Sequence, residues 1–339
     1  MAITIRDIAS RAGVSASTVS RVLNGSGYVS EKARERIEKA MEELQYQPNW
    51  VARSLRGKRS MLVGVIIPDI LNVYYTSVAR SILGHLNRQG CTMILQVSNE
   101  DADLELAYLR MLYDRRVDGI IYAPAANGSN SDVVREMVRN GMPMVELNRQ
   151  READILDAVL ADNYEGGYVV TEHLLRLGHR RIALVLGGTH LTTGRDRLAG
   201  YKKALEDYGV PFEPGLLKVK EFSKEWGIEA TREILASEPR PTAIFAGSNR
   251  ILMGTMTVLT QQNVRVPDDI SVISFDDSEW LSFWQPPITT VDIAVDEMSA
   301  LAVQLLMRRI EEGRPAAKPI TYRLSVTLVE RSSCRRINS

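Results

Sequence analysis

The sequence predicts a small all-α head followed by a two-lobed α/β body, with parallel sheets that carry helices on both faces. Three observations predict this fold class. The first 47 residues contain amphipathic helical stretches and no strand-like run. From residue 62 onward, short β-branched runs alternate with helical runs in two successive series. The length of 339 residues exceeds that of a typical single domain, so two or three units are expected.

The start of the chain has the pattern of two short helices joined by a tight turn. Thr4 and Asp7 have capping-box spacing, which predicts that a helix begins just after Thr4. Gly13 ends this helix, because glycine accepts the left-handed backbone of a sharp turn. Ser15 is a good N-cap for a second helix over 16–23. This is a helix-turn-helix pattern, whose second helix lies in the major groove of DNA.

The exposed positions of the second helix carry short side chains and one arginine. Arg21 can donate two hydrogen bonds to a guanine, which is the commonest specific base contact, and the hydroxyl groups suit phosphate oxygens. A surface helical hairpin with a solvated arginine is the alternative when this stretch is taken alone. The residues of the head that we expect to contact DNA are Thr4, Ser15, Ala16, Ser17, Thr18, Ser20, Arg21 and Asn24.

A third helix and a basic segment follow. Ser30 is expected to cap a helix that runs from Glu31 to about Gln45 and covers the first two helices. Its apolar stripe consists of Ala33, Ile37, Ala40, Met41 and Leu44. Pro48 breaks the helical pattern, and a basic segment leads to the first strand. We therefore expect a DNA-binding head at 1–47, a hinge at 48–60 and a body at 61–339.

The run TIRDIASRAGVSASTVSRVLN, followed by VSEKARERIEKAMEELQYQPNWVARSL, resembles the head and hinge of the LacI/GalR family of bacterial transcription regulators, and the likeness continues to the end of the chain. The resemblance implies a hinge helix that orders on operator DNA, pairs with its twin across a dimer axis and inserts a leucine into the minor groove. By motif position Leu55 is the inserted leucine, Ala52 allows the two hinge helices to pack closely, and Asn49 begins the segment. Unstacking the base steps costs energy, which the contacts made by the bent DNA offset. The alternative for Leu55 is that it is an ordinary linker residue whose side chain packs on the hydrophobic core of the same chain.

Charge is distributed unevenly along the chain. Residues 1–60 contain 11 Lys+Arg and 6 Asp+Glu, which leaves 31 and 36 for the remainder. A basic head on an acidic body points to nucleic-acid binding at one end. Cys91 and Cys334 lack metal-ligand spacing, and neither a signal-peptide pattern nor an apolar run of about 20 residues occurs. We expect a reduced, cytoplasmic protein without a metal, a cofactor or membrane contact.

The body has the pattern of two α/β lobes linked by crossing strands. We expect a first lobe at about 61–160 plus 290–320 and a second lobe at about 161–289 plus 321–331. Here the resemblance implies the fold of periplasmic sugar-binding proteins, with a ligand between the lobes. In open α/β sheets the ligand lies beyond the carboxyl ends of the strands, so residues just after each strand are the candidates.

Aromatic, amide and charged residues occupy those strand-end positions, as a polyol site requires. By motif position the family's effector contacts fall on Tyr74, Tyr75, Asn148, Arg197, Trp226, Ser248, Asn249 and Asp276, with Arg195 nearby. Many family members have Asp at 148 and Asn-Asp at 248–249. The loss of two carboxylates beside an arginine predicts an effector that carries a carboxylate or phosphate. The alternative for the tyrosines is that they belong to the hydrophobic core. The alternative for residues 195–197 is that their charged side chains form an ion-pair cluster without a role in binding.

These features together predict a ligand-responsive, sequence-specific repressor of carbohydrate or sugar-acid metabolism genes. We expect a homodimer on an inverted-repeat operator of double-stranded DNA, with a sugar, sugar acid or sugar phosphate as effector. The C-terminal run LVERSSCRRINS has no leucine heptads, so a tetramer is not expected. A cytoplasmic sugar-binding receptor without a DNA function is the main alternative. A sugar-modifying enzyme is disfavoured, because the sequence contains no catalytic motif or histidine cluster.

Overall fold

The computed structural model describes residues 3–24, 27–46, 60–152, 155–313 and 318–337. The chain divides into two compact units, the head at 1–60 and the body at 61–339. The helices of the head are α1 (Ile5–Ala12), α2 (Ala16–Asn24) and α3 (Glu31–Glu43). The predicted all-α head is therefore confirmed.

Local hydrogen bonds explain where the first two helices begin and end. The Asp7 carboxylate accepts hydrogen bonds from the backbone N–H and the hydroxyl of Thr4, each at 2.7 Å, and thus closes the predicted capping box. Gly13 ends α1 with a left-handed φ of 62°. The Ser15 hydroxyl accepts a hydrogen bond from the N–H of Thr18 at 3.1 Å, so it caps α2 as expected.

The three helices enclose a small core of their own. Ile8, Val19 and Ile37, one from each helix, have no exposed surface. Small residues let the helices approach closely around these three, and the buried set is completed by Ala9, Ala12, Ala33 and Ala40. Because this core is small, the stability of the head depends on a few side chains.

The body alternates strands and helices as the sequence predicts. Its strands are β1 (Leu62–Ile67), β2 (Thr92–Val97), β3 (Gly119–Tyr122), β4 (Met144–Asn148), β5 (Asp157–Ala161), β6 (Ile182–Leu186), β7 (Leu217–Val219), β8 (Ala243–Ala246), β9 (Ser271–Phe275), β10 (Thr289–Ile293), β11 (Thr321–Leu324) and β12 (Val326–Val329). Its helices are α4 (Val73–Arg88), α5 (Ala102–Asp114), α6 (Ser131–Arg139), α7 (Asn163–Arg176), α8 (Thr192–Asp207), α9 (Lys224–Ala236), α10 (Asn249–Gln261), α11 (Glu279–Phe283) and α12 (Val295–Glu312).

The strands form two six-stranded sheets of corresponding order. The first lobe has the order β11-β5-β4-β3-β1-β2, and all its pairs are parallel. The second lobe has the order β12-β10-β9-β8-β6-β7, in which β12 pairs antiparallel with β10. Buried apolar residues fill both faces of the central strands, as expected for sheets covered by helices. No helix within the described ranges is long and apolar enough to span a bilayer.

The expected lobe boundaries need correction near the C-terminus. Strand β10, which we placed in the first lobe, belongs to the second sheet, and β11, which we placed in the second lobe, belongs to the first. The chain crosses between lobes after β5, after β10 and after β11. Helix α12 lies between the last two crossings and packs on the first lobe. Strand propensity cannot reveal this exchange, because partner choice depends on tertiary pairing.

His179 anchors the C-terminal segment to the second lobe. Its ring is fully buried, Nε2 donates a hydrogen bond to the carbonyl oxygen of Arg335 at 3.1 Å, and Nδ1 lies 2.8 Å from the Thr242 hydroxyl. Burial lowers the pKa of His179 from 6.5 to about 4. The folded protein therefore holds this ring neutral where an unfolded chain would protonate it.

Acidification should therefore destabilise the body through His179. Its contribution to stability is present above pH 6.5, falls by about 2 kcal/mol at pH 5 and levels off below pH 4. Urea unfolding of the protein and of His179→Gln at pH 7 and pH 5 measures this effect. The variant should lose less stability on acidification, and an equal loss would contradict the assignment.

Candidate functional site

Residues from the carboxyl ends of both sheets meet in one small cavity between the lobes, here called the inner pocket. Its volume is about 20 Å³. Six of the nine residues expected at the effector site line it. The full lining is Asn72, Tyr74, Tyr75, Asn148, Arg149, Thr193, Arg197, Phe222, Ser248 and Asp276.

Asn148 and Asp276 occupy corresponding positions in the two lobes. One ends β4 and the other follows β9, the third strand in each sheet order. Both have a left-handed backbone, with φ of 66° and 70°. Asn and Asp tolerate this conformation better than most residues, and strain of this kind is common at binding sites. The conformation thus favours these two residue types at positions that face the pocket.

Arg197 lies at the centre of the pocket and is almost completely buried. Its Nε donates to the Asn163 side-chain oxygen at 2.9 Å, and Nη1 donates to the Gly247 carbonyl oxygen at 2.5 Å. The guanidinium lies 3.5 Å from the centroid of the Phe275 ring. Nη2 is 3.6 Å from the Asp276 carboxylate, which is too long for a direct hydrogen bond. A ligand hydroxyl could bridge this gap.

Burial shifts the pKa values of both Arg197 and Asp276. It lowers the pKa of Arg197 and raises the pKa of Asp276, and each shift is opposed by the charge of the other residue. Arg197 and Asp276 therefore pay a desolvation cost that their mutual attraction offsets only in part. Such perturbed pairs in a cleft are typical of functional sites.

Arg149 is a second buried arginine, which we did not select from the sequence. Two nitrogens of its guanidinium donate to the two Glu100 carboxylate oxygens at 2.9 Å each, and Nε donates to the Tyr75 hydroxyl at 2.8 Å. Burial lowers the pKa of Arg149, but the charge of Glu100, the Tyr75 hydroxyl and the hydrogen bonds to both together outweigh it and raise the pKa overall. Its position directly after Asn148, at a strand end, was the signal that could have identified it.

Several buried polar atoms at the pocket have no hydrogen-bond partner among the described residues. They are the Asn148 Oδ1 and the Thr193 Oγ1, which belong to lining residues, and both amide atoms of Asn249, an expected contact that directly follows the lining residue Ser248 but is not itself in the lining. All three residues are at most 5% exposed. Leaving such groups unpaired is costly, so a ligand with several hydrogen-bonding groups fits the chemistry of this site.

The helix ends add to this arrangement. The Asn72 side chain caps α4, the Ser248 hydroxyl caps α10, and Thr193 lies in the first turn of α8. Three helix N-termini, each with partial positive charge, therefore begin at the pocket. Both tyrosines of α4 line the pocket and also belong to the core, so the pocket and core interpretations both hold for them.

Besides Asn249, two expected effector contacts are absent from the pocket lining. Trp226 is buried in the second lobe, where its indole N–H donates to the Leu186 carbonyl oxygen at 2.9 Å. The aromatic residue that the second lobe contributes to the pocket lining is Phe222, four residues earlier. The Arg195 side chain is 53% exposed and pairs with Asp196 at 2.8 Å, because it projects from the opposite side of α8 to Arg197. The ion-pair alternative therefore applies to Arg195.

Direct contacts join the lobes around the cleft. Thr192 and Gln150 exchange two hydrogen bonds, from the Thr192 N–H to the Gln150 carbonyl oxygen and from the Gln150 N–H to the Thr192 hydroxyl, at 3.1 and 3.0 Å. Arg250 of α10 lies 3.1 Å from the Asp69 carboxylate of the first lobe. These contacts hold the two lobes together around the pocket.

Most of the predicted DNA-contacting residues of the head lie at least partly at its surface. Thr4, Ser15, Ala16, Ser17 and Arg21 are exposed, and Thr18 and Ser20 are half-buried. Asn24 is the last residue of α2. Asn49, Ala52 and Leu55 lie outside the described residues. In the described part of the chain, no group of three His, Cys, Asp or Glu side chains is placed to hold a metal ion.

A helix-turn-helix head joined to a two-lobed α/β body with a polar pocket defines a DNA-binding transcription regulator. A model described as bacterial regulatory proteins, lacI family, matches residues 4–49, and a periplasmic binding protein-like domain matches residues 171–334. The chain belongs to the lacI family of transcription regulators. The curated relatives described next are named as a transcriptional regulator and a transcriptional repressor.

Individual relatives match over nearly the whole chain. The transcriptional regulator DegA of Bacillus subtilis is 34% identical and covers 100% of both chains. The transcriptional repressor PurR of Erwinia tasmaniensis is 34% identical over 97% of this chain and 96% of its own. The crystal structure of the lac repressor dimer, bound to operator and the anti-inducer ONPF, is similar with a TM-score of 0.85 and 28% identity, covering 99% and 100% of the two chains.

Proposed function

We propose that the protein is a repressor that binds an inverted-repeat operator as a homodimer and responds to a small molecule held between its lobes. The observation that carries this proposal is the set of unpaired, buried polar atoms at the inner pocket of a chain that also has a helix-turn-helix head. Such a protein acts on DNA in the cytoplasm. The effector changes operator affinity only by its differential affinity for the two lobe arrangements.

Exposed apolar side chains on both lobes support the homodimer. Phe283 is 70% exposed, Leu71 is 69% exposed, and Trp284 next to Phe283 is 37% exposed. Large exposed apolar residues of this kind are typical of protein–protein surfaces. The similar lac repressor is a dimer on its operator. In the proposed dimer, the hinge residues Asn49, Ala52 and Leu55 bind the minor groove at the operator centre.

The charges in the pocket favour a neutral polyol as effector over a sugar acid or sugar phosphate. Each buried guanidinium already faces a carboxylate, Arg149 at Glu100 and Arg197 at Asp276. The expectation of an acidic effector depended on an uncompensated arginine, and Arg195 does not reach the pocket. Hydroxyl groups match the unpaired amide and hydroxyl atoms, because a hydroxyl both donates and accepts.

Calorimetric titration with neutral sugars, sugar acids and sugar phosphates tests the effector class. A neutral sugar should bind most tightly, and the same compound should change operator affinity in a fluorescence-anisotropy titration. Tight binding of acidic compounds alone would contradict the neutral-polyol assignment. Asn148→Asp places a second carboxylate at the pocket and keeps a residue type that tolerates φ of 66°. This variant should therefore bind acidic ligands still more weakly.

Arg21→Ala should remove the base preference at one base pair of each operator half-site. The arginine is exposed on α2, where a bidentate contact to guanine contributes about 1–3 kcal/mol of discrimination. Binding to a set of operators with single base changes measures the preference. Arg6→Ala, which removes an exposed cation from α1, is the matched control and should weaken all operators alike. An unchanged base preference in Arg21→Ala would refute direct readout by this residue.

A further inference from the structure

A second cavity, here called the outer chamber, lies in the same interlobe cleft. Its volume is about 230 Å³, and both lobes contribute to its walls. The lining consists of Pro68, Asp69, Asn99, Glu100, Ala126, Asn127, Glu221, Phe222, Ser223 and Arg250. Phe222 is the one residue that lines both this chamber and the inner pocket. Its ring therefore forms part of the wall between them.

The sizes of the two cavities differ by about tenfold. The inner pocket has a volume of about 20 Å³. A cavity needs about 10–15 Å³ to hold one water molecule, so the pocket has room for roughly one. A sugar-sized effector cannot occupy the inner pocket in this arrangement. The outer chamber, at about 230 Å³, approaches the lower end of ordinary ligand pockets, which is about 300 Å³. Displacing the wall between the two cavities would join them and enlarge the space at the inner pocket.

The Phe222 ring is held in place by contacts with both lobes. On one side it packs against Gly187, where an added Cβ would lie 2.1 Å from the ring carbon Cδ2. On the other side the Arg149 guanidinium of the first lobe lies 5.9 Å from the ring centroid. The ring is half-buried, and Phe222 directly precedes Ser223, the N-cap of α9. It therefore occupies a defined position that a single methyl group at Gly187 would disturb.

Carboxylates predominate in the walls of the outer chamber. Asp69, Glu100 and Glu221 line it, and Arg250 is the only guanidinium in the lining set. Arg250 lies beside Asp69, and Arg149 binds Glu100 from the side of the inner pocket. Glu221 accepts a hydrogen bond from the uncharged Ser223 hydroxyl at 3.1 Å. An excess of negative charge in a narrow chamber lowers the local concentration of anions.

We infer that the outer chamber is the entrance to the inner pocket, that the Phe222 ring is the gate between them, and that the chamber carboxylates slow the entry of anionic solutes. The inference rests on the proposed function only in taking the inner pocket as the effector site. When the ring rotates into the outer chamber, the two cavities become continuous. Neutral and cationic molecules then reach Ser248 and Asp276 more readily than anions do.

Thiol labelling inside the pocket tests this route without a known effector. Ser248→Cys places a thiol in the inner pocket of the full-length protein, in a background in which Cys91 and Cys334 are replaced by alanine. The probe is the neutral reagent 2-hydroxyethyl methanethiosulfonate. Adding Phe222→Ala should raise the labelling rate at least tenfold. Phe222→Leu should raise it less, and circular dichroism checks that each variant is folded.

Two further variants distinguish a gate from a general loosening of the fold. Gly187→Ala keeps the phenyl ring but takes away the space in which it packs, so it should also accelerate labelling. Phe212→Leu removes an aromatic ring of the same lobe that packs on Tyr201 instead of the cleft, and should leave the rate unchanged. If neither Phe222→Ala nor Gly187→Ala changes the rate, entry occurs by opening of the whole cleft and the gate is refuted.

Charged reagents test the selection against anions. The rates of the 2-sulfonatoethyl and 2-aminoethyl methanethiosulfonates are divided by their rates with a small free thiol. The anionic reagent should be several-fold slower than the cationic one, and Glu221→Gln should narrow the difference. Glu225→Gln, at an exposed position outside the chamber lining, should not. Equal normalised rates would refute the selection, and this result would leave the proposed repressor function untouched.

Discussion

Arg309→Met is expected to lower the free energy of unfolding of the body by about 3–5 kcal/mol, the usual cost of removing one partner of a buried ion pair. Arg309 of α12 donates to the Asp157 carboxylate of β5 at 2.6 and 2.9 Å. The side chains are 11% and 2% exposed. Asp157 also accepts the Ile320 N–H at 2.7 Å, so this carboxylate joins α12, β5 and the start of β11. Methionine would preserve the aliphatic packing but leave the carboxylate without a counter-charge.

The adjacent residue provides the control for this prediction. Arg308 is 56% exposed and pairs with Glu312 at 2.7 Å, so Arg308→Met should cost less than about 0.5 kcal/mol. Adding Asp157→Asn to Arg309→Met removes the unpaired charge and should recover part of the loss. Urea unfolding followed by circular dichroism measures all three. An equal loss in the free energy of unfolding for Arg309→Met and Arg308→Met would show that burial of the Arg309–Asp157 pair does not determine the loss of stability.

Ile37→Ala should abolish operator binding while it leaves the body intact. Truncating a fully buried isoleucine costs about 2–5 kcal/mol, and the head has a small core that depends on three such residues. Most heads would then be unfolded at 25 °C, so operator affinity measured by fluorescence anisotropy should fall at least a hundredfold. Because the head and the body are separate compact units, the unfolding transition of the body should not change.

Glu38→Ala is the matched control, because Glu38 is the next residue on α3 and is exposed. It should leave both operator affinity and head stability nearly unchanged. Loss of operator binding in Glu38→Ala as well would indicate a role of the α3 surface instead of the core. Retention of binding in Ile37→Ala would contradict the view that the three-helix core positions α2.

Most of the fold could be predicted from the sequence because local patterns determine it. The first strand begins at residue 62, where the predicted alternation of strand-like and helical runs begins, since buried parallel strands are continuous β-branched runs between turn residues. The capping residues Thr4 and Ser15 act locally and were recognised for that reason. The exchange of β10 and β11 between lobes was missed, because it depends on pairing between distant segments.

The pocket was predictable in position but only partly in membership. Strand ends locate it, and Asn148 and Asp276 lie there. The choice between Phe222 and Trp226 depends on the direction of the segment before α9, and the choice between Arg195 and Arg197 depends on which side of α8 faces the cleft. Arg149 becomes meaningful only with Glu100, which is distant in sequence and has a left-handed backbone at φ 60°. Side-chain partners of this kind are not encoded in a local pattern.

Two helix-turn-helix heads of a homodimer are expected to read one symmetric DNA site. In vitro selection from a random DNA library with the full-length protein tests this most directly, followed by anisotropy titrations of the selected sequence over a range of salt concentrations. We predict enrichment of an inverted repeat, bound with an affinity that falls steeply with salt. Enrichment of a single, non-symmetric site, or of no sequence at all, would contradict the claim.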